Sequence, residues 1–259
     1  MNNDVKYILT ILNNNGYEAY IVGGYVRDYL LNIKSDDYDI CTSAKEDDLK
    51  KLFNIVECNY GSCKINYNDK IYEVTTFRKD INYLNNRKPE KIEYVDNLSE
   101  DLQRRDFTIN TICMDRKGNI IDLLDGKKDI DNKLIKVVGD TDLKIKEDAL
   151  RILRAVRFAT TLNFRLDADL YTAIKKYGYL VTNLSFYRKR QELDKIFLSD
   201  NIDYGIKLLK ELGLDKYLEI KLDFKKTDLL GIWAQINNMN YPFTKNEMKI
   251  INEYRKTSL

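Results

Sequence analysis

Residues 20–42 read YIVGGYVRDYLLNIKSDDYDICT, a stretch that puts a paired glycine and a paired aspartate inside one supersecondary unit. Ala19 to Val22 is short and apolar, as a buried strand is. Gly23 and Gly24 end it, and Tyr25 to Leu31 carries apolar residues at helical spacing, which places the glycines at a strand-to-helix turn. Without Cβ atoms, two successive glycines let backbone N–H groups approach an anion, and the N-terminus of the following helix adds partial positive charge. Arg27, early in that helix, offers a planar fork of donors suited to phosphate.

Beyond the helix, Asp37-Tyr38-Asp39-Ile40-Cys41 alternates polar and apolar side chains in the manner of a half-buried strand. Residues i and i+2 on a strand share a face, so Asp37 and Asp39 point the same way, and two such carboxylates repel unless a cation lies between them. Taken alone, the pair reads as a solvated edge. With two glycines and an arginine just upstream, the unit offers an anion site and a divalent-cation site together, which a nucleoside triphosphate with magnesium requires.

The 259 residues suffice for one large domain or two small ones with a substantial core. Basic and acidic residues nearly cancel, 43 against 41, so any nucleic-acid surface has to be local. Basic charge is concentrated in residues 141–195, which hold 12 Lys and Arg against 7 Asp and Glu, net +5, while the rest of the chain is net −3; such a run suits an RNA backbone and is otherwise a solvated helix face. No apolar run approaches the roughly 18 residues that span a bilayer, and the N-terminus shows no secretory signal, which predicts a cytosolic location. There is no histidine. That excludes histidine-based triads and the usual zinc sites, and leaves carboxylates, hydroxyls and basic groups to do the chemistry. Cys41, Cys58, Cys63 and Cys113 lack metal-type spacing, and in a cytosolic chain they are expected as buried thiols, not disulfides.

Along the chain, helices are expected at Val5–Leu12 and Lys45–Phe53, and a hairpin of two strands at Ser62–Tyr67 and Ile71–Phe77. In the second strand Glu73 alternates with apolar Tyr72 and Val74. It is either solvent-facing or, beside the Asp37/Asp39 strand, a third carboxylate. Arg78–Asn97 is polar and weakly periodic and reads as a long functional loop. Ile120–Ile130 reads as a hairpin turning at Gly126. From Leu143 the pattern is helical, with Glu147–Leu162 as one amphipathic helix and others at Ala168–Tyr177, Arg188–Leu198 and Ile202–Glu211. Asp228–Arg255, with the single Trp233, reads as helical packing.

These segments, in this order, resemble the class II (bacterial-type) tRNA nucleotidyltransferase and poly(A) polymerase family, most nearly its CCA-adding members. GGYVRDYLL followed by DYD resembles the catalytic signature, RRDFTIN the ribose-discriminating segment, EDALRILRAVRF the base-selecting helix and IDLLDGKKDI the turn between head and neck. The resemblance implies an α+β fold: a polymerase-β-like nucleotidyltransferase head with a mixed sheet over residues 1–138, a helical neck over 139–199 and a short helical body over 200–259. It implies template-independent addition of C, C and A to the tRNA 3′ acceptor end from CTP and ATP, with release of pyrophosphate. By the same resemblance Asp37 and Asp39 hold two Mg²⁺ and Glu73 supports them. Gly23, Gly24 and Arg27 bind the triphosphate, and Arg105, Asp106 and Asn110 hold ribose and phosphates. Glu147, Asp148, Arg151, Arg154 and Arg157 belong to the nucleotide site, with Asp148 and Arg151 reading the base and Glu147 orienting them.

The chemistry of the bases agrees with that last implication. Cytosine and adenine each present an amino donor beside a ring-nitrogen acceptor, which an Asp acceptor and an Arg donor complement. Uracil and guanine reverse the order and leave like facing like, at about 1 to 3 kcal/mol per unpaired group. Two departures stand out. Ser185-Phe186-Tyr187-Arg188 has Tyr187 where the family has a glutamate, and the chain is short for the family, so its grip on tRNA is expected to be confined to the acceptor end or completed by a partner. The alternatives are a partial activity (CC-adding, A-adding or poly(A) synthesis), a catalytically silent RNA-binding relative, and a nucleotide-sensing synthase on the same head. The resemblance implies a shortened loop in CC-only members, whereas this chain keeps the Arg78–Asn97 loop with Arg87 and Pro89, which favours A addition.

Overall fold

The computed structural model describes residues 1–84, 88–236, 238 and 240–257. Its contacts divide the chain into two compact units, one built from Met1–Tyr83, Pro89–Asn132 and Lys136–Gly139, the other mainly from Lys133–Ile135 and Asp140–Leu259. No helix among the described residues is long and apolar enough to cross a membrane.

The first unit opens with helix α1 (Asn3–Asn14), whose Val5, Ile8, Leu9 and Leu12 form one buried stripe and whose Asn2 cap accepts the Val5 N–H. Then come β1 (Ala19–Val22), α2 (Gly24–Leu30), β2 (Asp39–Thr42), α3 (Glu46–Leu52), β3 (Asn54–Asn59), β4 (Ser62–Tyr67) and β5 (Lys70–Thr76). After these lie β6 (Arg78–Leu84), β7 (Lys88–Tyr94), α4 (Leu98–Gln103), a 3-10 turn at Thr108–Asn110, β8 (Cys113–Met114), β9 (Ile120–Ile121) and α5 (Gly126–Asp131). Seven strands form a mixed sheet in the order β3-β4-β5-β2-β1-β8-β9. Only β2 and β5 run parallel in it, and that join sets Asp39 opposite Glu73 and Ile40 opposite Val74. Val22, Cys41, Phe77, Leu98, Leu102 and Cys113 pack into one apolar cluster that binds the sheet to α4.

Three features of this unit differ from the sequence expectation. The polar stretch after Phe77 forms strands β6 and β7, which among the described residues pair only with each other; Arg87 lies outside the described residues, as does the side chain of Pro89. Gly126 opens helix α5 and does not turn a hairpin: Asp122 accepts the N–H groups of Gly126 and Lys127, and a Cβ at Gly126 would lie 2.4 Å from the Thr108 carbonyl oxygen. Cys58 and Cys63, opposite each other on β3 and β4, form a disulfide, where buried thiols were expected; Cys41 and Cys113 are the buried free thiols.

The second unit is helical apart from a short parallel pair, β10 (Leu134–Ile135) with β11 (Arg165–Leu166). Its helices are α6 (Thr141–Glu147), α7 (Leu150–Leu162), α8 (Ala168–Tyr177), α9 (Phe186–Phe197), α10 (Ile202–Glu211), α11 (Asp215–Leu218), α12 (Leu229–Ile236) and α13 (Lys245–Thr257), with a 3-10 segment at Gly178–Asn183. The expected single helix from Glu147 is broken, since Asp148 has extended backbone angles and ends α6 before α7 starts. Trp233 is buried among Phe197, Tyr241 and Phe243, and its indole N–H donates to Asp194 at 2.7 Å.

Candidate active site

Gly23 ends β1 with φ 84° and ψ −134°, a conformation open to glycine almost alone. A Cβ there would stand 3.7 Å from Asp39 Oδ2 and 3.9 Å from the Asn110 carbonyl oxygen. The turn therefore brings three of the expected site residues together: glycine backbone, the Asp39 carboxylate and the Thr108–Asn110 turn. Asp37 and Asp39 are both exposed, while Tyr38 and Ile40 between and after them are buried. The alternation expected on one strand face is present, with Asp37 just before β2 and Asp39 its first residue.

Glu73 is the register partner of Asp39 on β5 and lies on the same exposed face, flanked by buried Tyr72 and Val74. Its Oε1 accepts a 2.6 Å hydrogen bond from Ser62 Oγ, which Thr75 supports at 3.1 Å. Among the described residues no three carboxylate or thiol side chains gather closely enough to cage a metal. Two exposed aspartates of hard oxygen fit a Mg²⁺-type ion nonetheless, because that ion keeps waters and takes phosphate oxygens beside one or two carboxylates.

Arg27 is nearly buried and spends its fork on the protein. Nε and Nη2 donate to Asp28 Oδ1 at 2.8 and 2.7 Å, and Nη1 donates to Asn110 Oδ1 at 2.7 Å. Asn110 Nδ2 in turn donates to Asp106 Oδ1 at 3.1 Å. In this structure Arg27 braces Asn110 directly and Asp106 through it. Arg105 is anchored on buried Asp101, with Nη2 3.0 Å from Oδ2. Gly24, the first residue of α2, faces Arg27 Nη2. Nothing in the sequence marks Asp28, one more acidic residue beside an arginine, or Asp101, one more acidic residue in a charged helix.

Within the helical unit, Glu147 Oε2 accepts from Arg151 Nη1 at 3.1 Å and lies 3.4 Å from Lys144 Nζ, and Arg151 Nη1 also reaches the Lys144 carbonyl at 2.6 Å. Arg151 is 5 % exposed, so its guanidinium is held, not floating. Asp148 Oδ1 accepts the Leu150 N–H at 3.0 Å, and its carbonyl accepts the Arg151 N–H at 3.0 Å, which ties both residues to the α6–α7 junction. Arg157 is apart from them: its Nε is 2.7 Å from Glu192 Oε2, and its guanidinium lies 4.0 Å from the Phe158 ring. Arg154 lies over the same ring at 5.4 Å. Tyr187 is exposed on α9 and accepts from Gln191 Nε2 at 3.1 Å.

Residues 19–136 match the poly A polymerase head domain, and residues 163–221 match a probable RNA- and SrmB-binding site of polymerase A. The chain is 37 % identical to the CCA-adding enzyme of Staphylococcus haemolyticus, over 98 % of this chain and 68 % of that protein. It is 42 % identical to the one from Geobacillus thermodenitrificans, over 82 % and 53 % respectively. A crystal structure of the Bacillus stearothermophilus CCA-adding enzyme in complex with CTP superposes with a TM-score of 0.83 at 31 % identity, covering 99 % of this chain and 69 % of that one. A Thermotoga maritima CCA-adding enzyme complexed with tRNA, at 20 % identity and a TM-score of 0.74, shares the fold. The chain thus spans between 53 % and 68 % of the length of these curated relatives. Head motifs, mixed sheet and overall identity agree, and the chain belongs to the family of CCA-adding enzymes.

Proposed function

We propose that this chain adds C, C and A to the 3′ end of tRNA, taking CTP and ATP without a nucleic-acid template and releasing pyrophosphate. The observation that carries the reading is the placement of Asp39: beside the Gly23 turn, opposite Glu73, and on the exposed face it shares with Asp37. Relatives named CCA-adding enzymes, one of them solved with CTP, support it. Asp37 and Asp39 would hold Mg²⁺. Bound there, the ion supplies charge to the triphosphate oxygens and makes the terminal 3′-hydroxyl of tRNA more acidic.

The chain's own groups do the rest. Gly23 leaves room for the triphosphate beside the Asp39 carboxylate, and Arg105, Asp106 and Asn110 orient ribose and phosphates on a preorganised network. Asp148 accepts from the exocyclic amino group of C or A, and Arg151 donates to the adjacent ring nitrogen. Glu147 holds Arg151 for that task. The Tyr187 position leaves the step from C to A addition to residues other than a glutamate there. A cytosolic location belongs to the same proposal.

The test is extension of tRNA ending before, within and after CCA, with each of the four nucleoside triphosphates in turn. Addition of C, C and then A, with negligible U or G, is the expected result. Addition of C alone, A alone or long A tracts would replace it with one of the partial activities, and turnover without RNA would replace the acceptor.

A further inference from the structure

We infer that Asp101 is a positioning residue for the incoming nucleotide, fixing the aim of Arg105 and tying it to the start of β6. The inference rests on the functional reading above, in which Arg105 meets sugar and phosphate. Asp101 lies on α4, between the core residues Leu98 and Leu102 in sequence, and is wholly buried. Its Oδ2 accepts from Arg105 Nε and Nη2 at 3.3 and 3.0 Å. Its Oδ1 accepts from Arg104 Nε at 2.9 Å and from the backbone N–H of Arg78, the first residue of β6, at 3.2 Å.

One carboxylate thus joins two consecutive arginines to a strand 23 residues upstream. Arg78 carries the linkage outward: its Nε lies 3.2 Å from Asp80 Oδ1, and its Nη1 donates to the Tyr60 carbonyl in the β3–β4 turn. Three guanidinium groups and two carboxylates leave this cluster with one net positive charge, of the sign an anionic ligand needs. Burial pushes the Asp101 carboxyl up, but the flanking Arg104 and Arg105 outweigh it and hold the group below the usual carboxylate range. Asp101 therefore stays ionised and keeps both arginines directed. Without it Arg105 would keep its charge and lose its anchor, since a guanidinium cannot shed its proton.

The experiment measures KM and kcat for CTP and for ATP, at saturating tRNA, in the wild type, Asp101→Asn and Asp101→Glu, each checked for a cooperative melt. Because Arg105 addresses groups common to both nucleotides, D101N is expected to raise both KM values together by about tenfold while kcat stays within about threefold. D101E should fall between D101N and the wild type. A structural role alone lowers the active fraction, so a reduced kcat at unchanged KM would overturn the inference, as would wild-type kinetics in D101N. If D101N does not melt cooperatively, D101E is read by the same split: a raised KM supports the inference and a wild-type KM overturns it. A wild-type protein that fails to extend tRNA would remove the functional reading and this inference with it.

Discussion

Arg27 Nη1 donates to Asn110 Oδ1 at 2.7 Å, joining side chains 83 residues apart in the sequence. Asn110 passes the linkage to Asp106, so the Gly23–Gly24 turn and the RRDFTIN segment act as one unit. Asn110→Ala removes an acceptor from Arg27 and a donor from Asp106 at a buried site. It should destabilise the protein by about 1 to 3 kcal/mol and raise KM for both CTP and ATP. Thermal melts and steady-state kinetics check this, and an N110A protein with wild-type values in both would remove the network from the account.

Asp37 and Asp39 are exposed, so replacing them touches the chemistry and spares the core. Asp37→Asn and Asp39→Asn should each lower nucleotide incorporation by at least about a thousandfold, equivalent to about 4 kcal/mol in the barrier. Stability should change by no more than about 0.5 kcal/mol. Chelation should likewise stop the wild-type reaction and added Mg²⁺ restore it. Incorporation by either variant at the normal rate would show that the ion is held elsewhere.

Gly23 and Gly24 are adjacent but should respond differently to alanine. At Gly23 there is space for a Cβ, so the penalty is in the backbone, about 1 to 3 kcal/mol for holding φ 84° and ψ −134°. Gly24 is helical, and a Cβ there would sit 3.7 Å from Arg27 Nη2, an ordinary contact. Gly24→Ala should leave stability unchanged or raise it by up to about 1 kcal/mol. Chemical denaturation of the two variants measures the contrast.

What the sequence revealed follows from where side chains are buried. Ala19–Val22 and the Asp37–Cys41 alternation were readable because one face of each meets the core, and burial imposes a period. Among the described residues β6 and β7 pair only with each other, and Glu90, Lys91, Glu93 and Tyr94 are exposed, so nothing periodic marks them. Gly126 opens a helix where a hairpin turn is expected, because a glycine after an apolar run marks a turn and a close backbone approach equally well. Only the folded chain shows the Thr108 carbonyl beside it. The metal pair is legible in a local motif and the ribose and base residues in the family resemblance. The Asp101 pairs with Arg104 and Arg105, by contrast, have the i,i+3 and i,i+4 spacing of any helix-surface pair. Its bond to the Arg78 N–H and the Glu192 pair with Arg157 join residues that no spacing rule connects.

Cys58 and Cys63 face each other across β3 and β4, and their disulfide changes the expected thiol count. Under denaturing, non-reducing conditions two thiols should react, Cys41 and Cys113, and four after reduction. For so short a loop, reduction should cost about 2 kcal/mol on the chain-entropy estimate. Thiol titration and a melt with and without reductant measure both. Four reactive thiols before reduction would restore the expectation of free cysteines throughout.

Arg190 and Glu247 join α9 to α13 in the helical unit. The hydrogen bond from Arg190, outweighing burial and aided by Thr244, lowers the Glu247 carboxyl from 4.5 to about 2. A depressed folded-state value means stabilisation that is fully present above the unfolded value and lost as pH falls through the folded one. The contribution should therefore be intact at pH 7, begin to fade below about 4.5 and be gone near 2. Glu247→Gln removes the titrating group, so its melting temperature should lie below the wild type's at pH 7. The gap should close between about pH 4.5 and 2. A gap that stayed constant across that window would mean the ion pair contributes nothing and that glutamine disturbs packing alone.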